Sequence, residues 1–211
     1  MSPTRTSSSS MRPAVPFVVA ASIALLAIVA SAAPAFHAGV ADPNDTRGRL
    51  DVRRVRLAHR GGTEVTVITF ASWSPSAIWD RGNVYVFLDT SGGPDAEYFV
   101  LVRSTGQDLQ ASLWRDRPDR RDRPDRRDRF LRNVKVRRKT SNGASVRLPI
   151  KSLEFGGFRT SYFWWATTTF TSDRCRRTCV DRAPDDGSVE QWRPGMSPTP
   201  TPSPSPSPSS G

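Results

Sequence analysis

The chain has 211 residues, with 31 Lys plus Arg against 20 Asp plus Glu and a formal charge of +11. Setting aside its two low-complexity ends leaves about 150 residues, enough for one ordinary domain with a core of its own and too few for a second. The sign of the charge favours acidic partners, through an attraction that should weaken with salt.

Residues 1–35 read as an export signal. Arg5 and Arg12 precede an apolar run through Phe17-Val18-Val19 and Ile23-Ala24-Leu25-Leu26, and small residues crowd at Ala30-Ser31-Ala32 and Ala33-Pro34-Ala35 as a cleavage site requires. The stretch approaches the roughly 20 residues that span a bilayer, so an uncleaved signal anchor is the alternative. Either way the remainder is expected to be secreted or displayed at the cell surface, touching a membrane only through this segment.

From Asp42 to Trp192, runs rich in Val, Ile, Thr and aromatic residues alternate with clusters of Gly, Pro, Asn and Asp. Strands are expected near 50–58, 64–70, 83–89, 97–103, 109–115, 134–139, 144–150 and 162–171. Only 75–80 and 151–155 look capable of a helical turn. Gly61-Gly62, Ser91-Gly92-Gly93-Pro94-Asp95 and Asn142-Gly143 mark reversals, the last because both residues tolerate positive φ. The expected fold is therefore all-β, a two-sheet antiparallel β-sandwich of about eight strands over 42–192. Val84, Val86 and Leu88 share one face of their strand while Tyr85 and Phe87 share the other, which makes it a central strand apolar on both sides.

Residues 115–129 write Arg-Asp-Arg-Pro-Asp-Arg twice and then restart it. Proline every six residues excludes a helix interior or central strand, so the segment reads as a disordered insertion at the tip of a hairpin joining Leu113-Trp114 to Phe130-Leu131. Its Asp residues neutralise most of its Arg charge and it carries no aromatic ring to stack on bases, so nucleic acid is not an expected partner. Residues 193–211 form a Pro/Ser/Thr-rich tail that cannot bury a core, either a stiff polyproline-like spacer or an incidental extension.

The order Asp42-Pro43-Asn44-Asp45, Gly48-Arg49-Leu50-Asp51-Val52, the Trp73 region, Gly82-Asn83-Val84-Tyr85-Val86-Phe87-Leu88-Asp89-Thr90, and Cys175 to Cys179 followed by Asp181-Arg182-Ala183-Pro184-Asp185 resembles uncharacterised secreted proteins of high-GC Gram-positive bacteria. Those proteins are distantly similar to DOMON-like and family-nine carbohydrate-binding sandwich folds. The resemblance implies a two-sheet sandwich whose relatives bind sugars, haem or calcium according to their loops. The chain departs from the haem binders, because beyond the leader it holds only His37, His59 and Met196 as candidate axial ligands.

Several constellations could carry function. Cys175 and Cys179 are the only cysteines and, in an exported chain, are expected to form a disulfide pinning one loop. Asp89, Asp95 and Glu97 surround a glycine-rich loop and could offer hard oxygens to calcium, against the plainer reading of a polar turn. Asp42, Asp45 and Asp51 form a similar cluster at the domain start. Tyr162-Phe163-Trp164-Trp165 alternates faces, so one pair lies outside the main core. Tyr162 and Trp164, joined by Trp73 and Trp79, could form an aromatic platform for a sugar ring, against the reading of a packing cluster. No nucleophile-base-orienter set emerges around His59. The expected function is a non-catalytic extracellular binding module for a glycan or anionic wall polymer. The alternatives are a displayed structural domain and, further off, a hydrolase.

Overall fold

The computed structural model describes residues 37–59, 61–117, 125–156, 159–172 and 175–196. The leader, the middle of the Arg-Asp-Pro repeat at 118–124 and the tail from 197 lie outside the described residues. The alternation read from the sequence becomes two antiparallel sheets. One has the order β1 (His37–Ala41), β2 (Val52–Ala58), β3 (Thr63–Thr69), β9 (Gly143–Leu148), β8 (Val136–Thr140). The other runs β11 (Cys175–Ala183), β10 (Ser161–Ser172), β4 (Gly82–Asp89), β5 (Tyr98–Ser104), β6 (Leu109–Arg115), β7 (Arg129–Val134), with β12 (Val189–Trp192) also paired to β10. Among the described residues one short helix, α1 (Pro75–Ile78), starts on a Ser74 side chain that accepts from the Ala77 amide, and a 3-10 turn follows β9 at Ile150–Ser152.

The space between the sheets is filled by the inward positions of every central strand. Val84, Val86 and Leu88 of β4, Val100 and Val102 of β5, and Tyr162, Trp164 and Ala166 of β10 face Val52, Val55 and Leu57 of β2, Val65 and Val67 of β3, and Ala144, Val146 and Leu148 of β9. β4 is apolar on its outer side too: Phe87, Phe99 and Trp165 cluster there, with Phe87 and Trp165 rings stacked at 5.4 Å and Phe99 and Trp114 at 6.2 Å. The pair left outside the main core is thus Phe163 and Trp165.

Three sequence expectations change. Residues 134–139 are not one strand: Val134 ends β7 in one sheet, Val136 begins β8 in the other, and Lys135 carries the crossing, its carbonyl accepting from the Arg147 amide at 2.8 Å. The hairpin across the Arg-Asp-Pro repeat forms, with Trp114 opposite Phe130. The Asn142-Gly143 reversal does not use positive φ at either residue. Its turn is Ser141-Asn142, held because the Asn142 carbonyl accepts from the Thr69 amide and its side-chain amide donates to the Thr69 carbonyl. Gly143 is already in β9, where a Cβ would sit 2.9 Å from Thr140 Oγ1. Strands β1, β11 and β12 had no counterpart in the sequence reading, being short or rich in Arg and Asp.

Trp164 is 0 % exposed and Trp79, just past α1, is 53 % exposed. Trp164→Ala should therefore lower unfolding free energy by about 3–5 kcal/mol, while Trp79→Ala should change it by less than about 0.5 kcal/mol, measured by urea denaturation.

Candidate functional site

The crossing from β7 to β8 opens one lateral edge of the sandwich, and a cleft of about 670 Å³ lies there. Its walls come from the Gly61-Gly62 turn after β2, from Arg132 to Lys135, and from Arg147 through the 3-10 turn to Ser152, with Pro194 closing one side. Val134, Leu148, Pro149 and Ile150 give it an apolar floor. Arg132, Lys135, Arg147 and Lys151 stand on its walls, His59 joins them, and none of the described lining residues is acidic.

Local chemistry fixes that wall. Gly62 has φ +133° and a Cβ there would meet the Arg147 guanidinium at 2.8 Å, so the turn must be glycine for Arg147 to lie across it. Arg147 Nη2 donates to the Gly61 carbonyl, Arg132 donates to the Ser152 hydroxyl, and His59 Nδ1 lies 2.9 Å from Thr63 Oγ1. A second recess of about 340 Å³ shares Arg132 and Ser152 with the cleft and adds Arg115 and Arg129, of which Arg115 pairs with Glu154 at 3.1 Å. The two recesses form one cationic trough rather than a point site. Sequence reading missed it because its cations come from separate strands with no motif spacing.

The four aromatic residues expected as a sugar platform do not converge. Tyr162 and Trp164 are fully buried between the sheets, Trp73 is buried beneath the Arg138 guanidinium at 5.2 Å, and only Trp79 is open, beside Gly106. Within the 89–97 loop, Asp89 Oδ1 accepts from the Ser91 amide at 2.9 Å and from the Gly92 amide. Glu97 accepts from the Thr90 amide at 2.6 Å and from the Ser91 hydroxyl. Those two carboxylates hold their own turn, and Asp95 stands half-buried alongside.

Carboxylates gather instead at the opposite lateral edge, where β11 packs against β2. Carboxylate oxygens of Asp42, Asp45, Asp181 and Asp185 all lie within 4.8 Å of one another. Asp181 is fixed by the Val52 amide at 2.5 Å and by the Thr46 hydroxyl at 3.3 Å. Asp42 and, behind it, Asp51 are buried. Burial first, and then the neighbouring Asp181, Asp185, Asp45 and Asp51, push the Asp42 carboxyl up to about 7. Burial, with Asp181 and Asp45, pushes Asp51 up to about 6, and Asp181 is raised mainly by burial. The sequence placed Asp42, Asp45 and Asp51 together, but Asp181 and Asp185 reach them only through the pairing of β10 with β11.

Cys175 and Cys179 form a disulfide with Cα atoms 5.6 Å apart. It does not close a free loop. Ser172 pairs with Cys175 and Phe170 with Cys179, so β11 spends four steps where β10 spends two, and the disulfide staples that bulge. A ring this small contributes about 2 kcal/mol in the chain-entropy treatment. Replacing both cysteines by serine should lower stability by no more than about that, leaving a cooperative fold by thermal denaturation. Comparison of the chain with family models, with curated proteins and with solved structures returns no match.

Proposed function

We propose that this chain is a non-catalytic extracellular binding module whose ligand is an anionic polymer of the cell envelope, held in the cationic trough at the β7–β8 edge. The observation that carries the reading is the cleft lined by Arg132, Lys135, Arg147 and Lys151 with no acidic residue among its described lining. Isolated surface cations on a basic protein are ordinary, but four converging on one concave wall concentrate positive potential and favour a multiply charged ligand.

Continuity with the second recess supports an extended polymer over a single small anion, since Arg129 and Arg132 prolong the charge along the edge beyond the Arg115–Glu154 pair that also lines it. The apolar floor of Val134, Leu148, Pro149 and Ile150 suits the carbon skeleton of a sugar or polyol between its charged groups. A neutral glycan on an aromatic platform has less support, because Tyr162 and Trp164 are core residues.

Calorimetric titration of the leaderless protein with a glycerol-phosphate polymer and with neutral dextran tests this. The polyanion should bind with affinity that falls steeply with salt, and Lys135→Ala together with Lys151→Ala should weaken it about tenfold or more without changing the melting temperature. Equal binding of dextran, or polyanion binding that the double substitution leaves intact, contradicts the proposal.

A further inference from the structure

The acidic edge lies across the sandwich from the trough and plays no part in the reading above. Four features there demand an explanation together. The carboxylates of Asp42, Asp45, Asp181 and Asp185 converge on one point. Asp42 is 7 % exposed, and neither of its oxygens has a hydrogen-bond partner among the described residues. Asp51, 4 % exposed, leaves Oδ1 unpartnered in the same place. Among the described residues no ion pair offsets them: Arg182 of β11 donates instead to the backbone carbonyls of Asp185 and Gly187 and lies over the Trp165 ring.

We propose that Asp42, Asp45, Asp181 and Asp185 bind a calcium ion that ties the segment between β1 and β2 to β11. A buried carboxylate without donors is costly unless something positive meets it, and a hard divalent cation meets several at once. Calcium accepts a flexible set of about six to eight oxygens, carboxylates and waters among them, which suits four aspartates of which two are open to solvent, whereas magnesium requires a near-octahedral set and keeps most of its waters. All four carboxylate oxygens lie within 4.8 Å of one another. Asp45 and Asp185 are exposed while Asp42 and Asp181 are buried, so the site has an entrance and an interior wall. Asp181 is already oriented by Val52 and Thr46, which preorganises one ligand and joins the two sheets at the same spot.

The test uses the leaderless chain stripped with chelator, then titrated with CaCl2 and MgCl2 at constant ionic strength while melting temperature and heat are recorded. One calcium per chain should bind with Kd below about 1 mM, at least about tenfold tighter than magnesium, and raise the melting temperature. Asp42→Asn should behave in two opposite ways: in chelator it melts higher than the parent, since it removes repulsion, yet it loses most of the calcium-induced rise. Asp185→Ala, at an exposed position that does not endanger folding, should lose the rise as well, and Asp95→Ala in the 89–97 loop should keep it. A melting temperature indifferent to calcium, or a rise that survives both Asp42→Asn and Asp185→Ala, overturns the proposal. Loss of the rise in Asp95→Ala alone also overturns it, by moving the ion to the other loop.

Discussion

Everything in this fold follows from the filling of one apolar layer between two sheets. Register is fixed because a one-residue slip in β4 or β10 would exchange Val86 for Tyr85, or Trp164 for Phe163, across the sheet. With the inward positions of the central strands filled mostly by Val, Leu, Ala, Tyr and Trp, charged side chains are left to the outer faces and the lateral edges. The sandwich is therefore a device for sorting charge as much as a hydrophobic core.

That sorting is uneven. Along β11 and the segment before β2 the sequence supplies Asp42, Asp45, Asp51, Asp181 and Asp185, and along the β7–β8 crossing it supplies Arg132, Lys135, Arg147 and Lys151. Unit like charges about 5 Å apart repel by about 3 kcal/mol at an effective dielectric near 20, more than a typical hydrogen bond returns. The acidic cluster is costly ground for the folded state and the basic one concentrates positive potential on a concave wall, which is why each is read as half of an interaction whose other half comes from solution. The two halves differ in kind: the acidic one is small, partly buried and anchored by backbone donors, suited to an ion, and the basic one is open and elongated, suited to a polymer.

Most of the sheet scaffold was legible in the sequence, because alternation in 83–89, 97–103, 109–115 and 162–171 reports directly which side chains face inward. The β7–β8 crossing was not legible, since Val134 and Val136 alternate correctly whether or not the chain changes sheet between them. Nor was the true turn at Ser141-Asn142, where the Asn142 amide is engaged by Thr69 from another strand. The functional edges were the least legible of all. Asp181 lies 130 residues beyond Asp51 and meets it only through the pairing of β10 and β11 and the docking of β11 on β2, and three of the four aromatic residues that looked like a ligand platform, Trp73, Tyr162 and Trp164, were required by the core instead.

The central claim is that two opposite edges take two chemically opposite ligands. Backbone amide chemical shifts, recorded as calcium and then a glycerol-phosphate polymer are added to one sample, address it directly. The account predicts two separate sets of moving signals, 42–52 with 181–187 for the ion and 59–63, 132–135 and 147–152 for the polymer. Shifts from both ligands falling on the same edge, or spreading over the outer face around Phe87 and Trp165, would contradict it.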